Sequence, residues 1–261
     1  MCEQAALARV PEGGDGCCKA AQAWILESLT MPNGLRCFAL VPCAGIGLRA
    51  GVGGPKQYAE VQGRAVVAHT LEALARVPEL AATLVVLAPL DTQFESQAPG
   101  HLGPRAWVAR CGGPSRGASV AAGLTELRLR GAADSDWVLV HDAARCLLRP
   151  SWVQRLIHAC WDDAVGGLLA LPLADTLKSA VGQRVTGTLQ RQDKWLAQTP
   201  QMFRLGLLQR ALAQAGEGVT DEASAVEALG LQPLLVPGEL ENLKLTFPAD
   251  FALAVRLLET R

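Results

Sequence analysis

The segment "VPCAGIGLRAGVGGPKQY", Val41 to Tyr58, carries five glycines and two prolines around one arginine and one lysine. Backbone N–H groups of a glycine-rich loop, together with the fixed cations Arg49 and Lys56, suit an anion of several charges such as a nucleoside triphosphate. Two other readings compete: a dinucleotide cradle, and a surface turn with solvated charges. Gly45, Gly47 and Ala50 satisfy the dinucleotide spacing G-x-G-x-x-G/A. That fingerprint needs a helix to start at once so that its N-terminus faces the pyrophosphate. Gly51, Gly53, Gly54 and Pro55 prevent such a start. The acidic residue expected about 20 positions further on is missing from a strand end, since Asp91 comes too late. The Walker spacing fails as well, because Lys56 follows a proline and precedes Gln57. A mere surface turn is disfavoured by position: the loop leaves the C-terminal end of an apolar run, where open α/β sheets bind ligands.

Such a loop needs a frame. The run Arg36 to Pro42 reads as a buried parallel strand, and Ala82 to Pro89 as a second. Ala106 to Cys111 is a weaker third strand, and Asp136 to Arg145 a fourth that turns polar at its C-terminal end. Between them, Val66 to Arg76 places Val67, Leu71 and Leu74 on one helical stripe. Ser119 to Arg130 is helical with Ser115 or Ser119 at its cap, and Pro150 to Cys160 with Ser151 at its cap. The alternation predicts an α/β fold with a doubly wound, mostly parallel sheet.

Val165 to Ala174 is a buried-strand candidate. The rhythm is then lost from Ala174 to Phe203, where "VGQRV" looks like a hairpin turn; an irregular stretch of this length is usually functional or contacts a partner. Helices resume at Leu205 to Gln214 and at Asp221 to Leu229, the latter capped by Thr220 with Asp221 and Glu222 in its first turn. A short strand and a helix entered at Pro248 close the chain.

Composition narrows the function. In 261 residues with a formal net charge of −1 there is no global basic field with which to grip nucleic acid. The eight cysteines form no Cys-x-x-Cys pair, and no histidine stands at zinc-finger spacing. Reduced thiols in a cytoplasmic protein are the expected state, with Cys43 in the glycine loop the one candidate for a reactive thiol. No apolar run reaches the length of a membrane span. Residues 1–34 read as an N-terminal extension, poorly ordered or with a short helix at Lys19 to Leu29, and Met31 is a candidate translation start. They lack the pattern of a signal peptide.

Several segments in order carry a resemblance: the glycine loop, "CGGPSRGASVAAGL", "WVLVHDAAR", "ADTLK", "QTPQMF", "VTDEASAVE" and "ENLKLTFPAD". Together they resemble the 2-C-methyl-D-erythritol 4-phosphate cytidylyltransferases, a family of the sugar-nucleotide transferase fold, over residues 35–261. The resemblance implies transfer of a cytidylyl group from CTP to methylerythritol phosphate with release of pyrophosphate, in isoprenoid precursor synthesis. The substrate phosphate attacks the α-phosphorus in line, so catalysis is mostly positioning and charge neutralisation. By the resemblance, Arg49 and Lys56 are the catalytic cations. Ala44, Gly45, Gly47, Gly112, Gly113 and Ser119 bind the nucleotide, although capping alone would account for Ser119. Arg116 is a weaker candidate in the same loop.

Asp142, beside a triphosphate, is a partner for Mg²⁺, a hard cation that takes oxygen ligands; capping a helix or a surface ion pair are its plainer alternatives. Arg145 would grip the incoming phosphate bidentately, or merely pair with Asp142. His141 is left as a packed strand-end side chain. Thr176, Arg191 and Lys244 resemble the residues that hold methylerythritol phosphate. In the family the first two lie on an extended arm that reaches into the partner subunit's site, which implies a homodimer with a protruding β-arm at about 174–203. An ordinary surface hairpin is the alternative. Thr199, Thr220 and Asp221 border the site. Two departures stand out: Pro114 replaces an acidic residue in the cytosine loop and has no N–H to donate, and Cys146 replaces the proline that follows "HDAAR". The rivals are a cytidylyltransferase for another polyol phosphate such as ribitol phosphate, an NAD-dependent dehydrogenase, and a silent binding module.

Overall fold

Every side chain from Cys37 to Val41 is buried, with alternate residues pointing to opposite faces. Cys37, Ala39 and Val41 join one hydrophobic cluster, and Phe38 and Leu40 another. A strand covered by apolar partners on both sides belongs at the centre of a parallel sheet. In the computed structural model, residues 34–45, 54–100, 102, 105–216 and 220–261 are described. The expectations for the N-terminal extension, and for Gly47 and Arg49, lie outside the described residues.

The strand β1 (Cys37–Pro42) runs parallel between β4 (Ala82–Val86) and β6 (Trp137–Val140). A small antiparallel ribbon, β2 (Glu60–Val61) and β3 (Arg64–Ala65), leads into α1 (Val66–Ala75). The single-turn helix α2 (Phe94–Gln97) precedes β5 (Ala106–Ala109), which pairs parallel with β4 at one sheet edge. After it come α3 (Arg116–Leu129), α4 (Pro150–Cys160) and β7 (Gly166–Pro172). The hairpin β8 (Leu177–Val181) and β9 (Arg184–Leu189) is followed by β10 (Trp195–Arg204). The chain ends with α5 (Leu205–Ala215), α6 (Glu222–Glu227), β11 (Leu234–Pro237) and α7 (Pro248–Glu259).

The seven-stranded sheet has the order β11-β7-β10-β6-β1-β4-β5. β10 is antiparallel to both neighbours, and the remaining pairs are parallel. On one face the α1 stripe of Val67, Leu71 and Leu74 packs with Val153, Leu156 and Ile157 of α4. On the other, Val120, Leu124 and Leu127 of α3 meet Leu208 of α5 and Val226 of α6. Helices on both faces make the doubly wound α/β architecture that the strand and helix spacing predicts. Ala254 of α7 closes the C-terminal end over Val61, Cys146, Leu147 and Leu245.

Some local expectations change. Pro150 opens α4 and Ser151 lies inside it, with Arg149 at the cap position and no side-chain cap bond. Asp221, not Thr220, caps α6: its Oδ1 accepts the Ser224 N–H at 3.0 Å, while Ser224 Oγ accepts the Asp221 N–H at 3.2 Å. The strand expected after Glu241 is absent, because residues 243–246 join no sheet. The Leu245 N–H instead donates to the Ala144 carbonyl at 2.9 Å, which fastens the segment to the end of β6.

Only part of the segment 174–203 protrudes. Gly182 and Gln183 turn the β8–β9 hairpin with φ of 52° and 65°, the left-handed conformation of tight hairpin turns. Val181, Val185 and Leu189 on the hairpin are exposed. By contrast, Gln198 to Phe203 are buried and belong to the central sheet. Among the described residues no helix is long and apolar enough to cross a membrane.

Candidate active site

A cavity of about 590 Å³ opens at the C-terminal ends of β1 and β6. Pro42 to Gly45, leaving β1, form one wall, and Asp142 to Ala144, leaving β6, another. Gly113 to Arg116 and Ser119, at the start of α3, form a third; Lys56, Gln57, Thr220 and Lys244 complete it. Of the expected site residues, Ala44, Gly45, Lys56, Gly113, Ser119, Asp142, Thr220 and Lys244 are thereby brought together.

The glycines at 112 and 113 are required by close approach. A Cβ on Gly112 would lie 2.4 Å from Ala44 Cβ and 2.7 Å from the Leu87 carbonyl oxygen, and one on Gly113 would lie 2.6 Å from Ala118 Cβ. Ser115 caps α3, its hydroxyl accepting the Ala118 N–H at 3.1 Å. Ser119 therefore serves differently: its Oγ accepts the Gly113 N–H at 3.1 Å and donates to the Ser115 carbonyl at 3.0 Å, pinning the loop. The positive end of the α3 dipole faces the cavity, which favours an anion there. Pro114 stands on the same wall and offers no N–H.

A row of charged groups of alternating sign runs from the cavity wall into the interior. Glu222 takes Arg116 bidentately, with Nη1 to Oε1 at 2.6 Å and Nη2 to Oε2 at 2.9 Å. Arg116 Nε reaches Asp142 Oδ1 at 2.7 Å, and Lys244 Nζ reaches Asp142 Oδ2 at 2.7 Å. Burial by itself pushes the Asp142 carboxyl up, but Arg116 and then Lys244 outweigh it and hold the group far below the usual carboxylate range. Burial raises the Glu222 carboxyl, and Arg116 offsets this only in part. Lys56 Nζ donates to the Leu245 carbonyl at 3.1 Å, next to Lys244.

Asp142 therefore pairs with Arg116 and Lys244, and not with Arg145. Arg145 does not line the cavity. Its Nη1 donates to the Asn242 carbonyl at 2.6 Å, bracing the loop that presents Lys244, and desolvation pulls its pKa down. The Asp142 pair that was the alternative for it is not formed. Thr176 and Arg191 lie exposed outside the cavity, with Arg191 donating to the Ala174 carbonyl.

His141 is fully buried, and burial pulls its pKa down to about 4. Its Nε2 lies 3.2 Å from the Arg145 carbonyl and its Nδ1 3.1 Å from Thr199 Oγ1. Cys43 is buried, and desolvation keeps it a thiol rather than a reactive thiolate. Cys37, Cys43, Cys111, Cys146 and Cys160 are free. Cys146 packs against Leu147 and Leu245 behind the site.

The sequence marks Arg116 only as a weaker candidate in the nucleotide loop and Glu222 only as a first-turn acid. One signal was present: Glu222 shares the helical face of Ala225 and Val226, which marks a carboxylate on an apolar stripe.

A carboxylate held ionised between two cations, the amino end of α3 and a lysine on the same cavity wall form a site for phosphoryl chemistry. The sequence profile of the 2-C-methyl-D-erythritol 4-phosphate cytidylyltransferases (IspD) matches residues 37–260. The chain belongs to this family. It is accordingly a nucleotidyltransferase. The bifunctional enzyme IspD/IspF of Albidiferax ferrireducens is 59% identical over 92% of this chain, which spans 56% of that relative. A 2-C-methyl-D-erythritol 4-phosphate cytidylyltransferase of Burkholderia cenocepacia is 51% identical over 85% of this chain and 96% of its own length. Among solved structures, a 4-diphosphocytidyl-2C-methyl-D-erythritol synthase is 43% identical, with a TM-score of 0.76 over 86% of this chain and 98% of its own. The Francisella tularensis enzyme follows at 30% identity, a TM-score of 0.72 and coverage of 84% and 98%.

Proposed function

We infer that the chain transfers the cytidylyl group of CTP to 2-C-methyl-D-erythritol 4-phosphate, giving 4-diphosphocytidyl-2-C-methyl-D-erythritol and pyrophosphate. The observation that carries this reading is one cavity joining Lys56, Arg116, Asp142 and Lys244 with the Gly113–Ser119 loop, in a chain of this family. A substrate phosphate oxygen attacks the α-phosphorus, and the bond to the pyrophosphate oxygen breaks. No covalent nucleophile is required. Lys56 is assigned to charge developing on the triphosphate, and Arg49, by resemblance, to the same task. Ser119 and the loop backbone at Ala44, Gly45, Gly47, Gly112 and Gly113 are assigned to the nucleotide. Lys244 is assigned to the substrate phosphate, with Thr220 at the rim.

Mg²⁺ is proposed as cofactor. Among the described residues no three His, Cys, Asp or Glu side chains converge as a ready metal cage, and Asp142 is the one acidic residue on the cavity wall. A single carboxylate fits an ion held mainly by phosphate oxygens, as Mg²⁺ commonly is. When bound, the ion would neutralise phosphate charge. A homodimer is proposed in which the exposed hairpin, with Thr176 and Arg191, completes a neighbouring site. The cytoplasm, where free thiols persist, is the proposed location. Neither the family nor the relatives named above support the ribitol phosphate alternative.

The test is pyrophosphate release from CTP and Mg²⁺, with methylerythritol phosphate and ribitol phosphate compared directly. Release with the former is expected; none with it would refute the reading.

A further inference from the structure

β10 is the antiparallel member of the sheet, and its pairing with β7 is interrupted between Ala197 and Gln201. At the interruption stand Gln198 and Thr199, and just beyond it Gln201, all buried. None of them lines the cavity. Each holds a different loop. Gln198 Nε2 donates to the Glu239 carbonyl at 2.8 Å, and its Oε1 accepts from Glu239 N–H at 3.3 Å and from Asn242 Nδ2 at 3.2 Å. The Thr199 carbonyl accepts a second bond from Asn242 Nδ2 at 2.8 Å. These bonds fix the loop that leads to Lys244.

The Thr199 hydroxyl has an assignable direction. The Arg145 carbonyl can only accept, so the His141 proton sits on Nε2. Nδ1 then accepts from the Thr199 hydroxyl, whose oxygen in turn accepts the Asp142 N–H at 3.1 Å. Gln201 holds the third loop: its Nε2 donates to Asp221 Oδ2 at 2.8 Å, and its Oε1 accepts the Ala223 N–H at 2.8 Å. Glu222 lies between those two contacts and holds Arg116.

We propose that Gln198, Thr199 and Gln201 are positioning residues for the transfer reaction: from behind the cavity lining they set the spacing of Lys244, Asp142 and the Glu222–Arg116 pair. Three loops from distant parts of the chain carry these charges, and one strand segment spaces them. A misplacement near 1 Å at a reacting centre costs about 10²-fold in rate, so loosening one tie should lower kcat while leaving the nucleotide wall intact.

This inference rests on the function proposed above, and the experiment separates the two. Steady-state kinetics with CTP and methylerythritol phosphate are compared for wild type, Thr199→Val, Thr199→Ser and Gln201→Met. A further variant, Phe203→Leu, loses packing in the same strand without losing a tie. Thr199→Val and Gln201→Met are expected to lose roughly 10-fold to 10²-fold in kcat, with KM for CTP changed less than about 3-fold. Thr199→Ser restores the hydroxyl and most of the turnover, and Phe203→Leu lowers the melting temperature but not kcat. Should Thr199→Val fail to fold, Gln201→Met and Thr199→Ser still decide. Turnover kept in Gln201→Met, or lost equally in Phe203→Leu, overturns the positioning role. A wild type without turnover refutes the functional reading instead.

Discussion

Replacing Arg116 by methionine strands a charge. Glu222 is completely buried, and its bidentate partner is Arg116. Asp142, by contrast, keeps Lys244 at 2.7 Å when Arg116 is gone. Removing one partner of a buried pair costs about 3–5 kcal/mol, because the other charge stays behind uncompensated. At about 2–4 °C per kcal/mol for a domain of this size, the melting temperature should fall by roughly 6–20 °C at neutral pH. The loss must also depend on pH in a known direction. Burial already raises the Glu222 carboxyl, and without Arg116 nothing offsets it. A native pKa above the unfolded value of about 4.3 means that the folded state holds the extra proton, so stability declines as pH rises from there through the folded pKa. Thermal denaturation at pH 5, 6.5 and 8 should therefore show Arg116→Met closest to wild type at pH 5. Adding Glu222→Gln removes the stranded charge, which should abolish that pH dependence and recover about 1–3 kcal/mol at pH 8. A single-variant loss below about 1 kcal/mol, or one equal at all three pH values, would refute the argument that Glu222 carries a buried charge.

Further outcomes are expected. Lys56→Ala should lower kcat/KM by on the order of 10²-fold or more with the circular dichroism spectrum unchanged; near-normal turnover removes Lys56 from its role. Gly112→Ala forces a Cβ to within 2.4 Å of Ala44 Cβ. It should cost about 1–3 kcal/mol of stability and raise KM for CTP more than it lowers kcat, as calorimetry and kinetics would show. His141, neutral with a pKa pulled down to about 4, opposes acid: between its unfolded pKa near 6.5 and about 4, only the unfolded state takes up the proton. Stability should fall with pH across that window, and His141→Asn should flatten the slope in urea titrations. For the arm, mixing Arg191→Ala with Lys56→Ala protomers should restore turnover above either parent, and sedimentation should give a dimer; no recovery counts against shared sites.

The parts of the fold that read most clearly from sequence are those where local pattern and tertiary demand agree. The runs that became β1, β4 and β6 are apolar on both faces because they sit between two helical layers. The stripe of α1 shows its one buried face. Short elements read poorly. β11 is a four-residue run ending in a proline at a sheet edge, and β10 begins its buried part with Gln198, Thr199, Pro200 and Gln201, which look like a loop. In the site, the loops carrying Lys56, Asp142 and Lys244 announce themselves by glycine, by an acid at a strand end and by the family pattern. What decides the direction of a side chain is a partner far along the chain. Arg116 meets Glu222 across 106 positions, and Arg145 turns to Asn242 across 97. No local spacing encodes such a meeting, so neither the Glu222 partner of Arg116 nor the Asn242 partner of Arg145 is legible in the sequence.

The row of Glu222, Arg116, Asp142 and Lys244 has a consequence for how a substrate arrives. Two acids and two bases cancel. Beyond a screening length of about 8–10 Å at ordinary ionic strength, such a row is electrically silent. Its cations become felt only at contact, when phosphate oxygens take the place of carboxylate ones. The amino end of α3 faces the same opening. Polyanions in general are therefore not gathered by this row. This row should add little to the salt dependence of triphosphate capture, and it selects by fit at contact rather than by attraction at a distance.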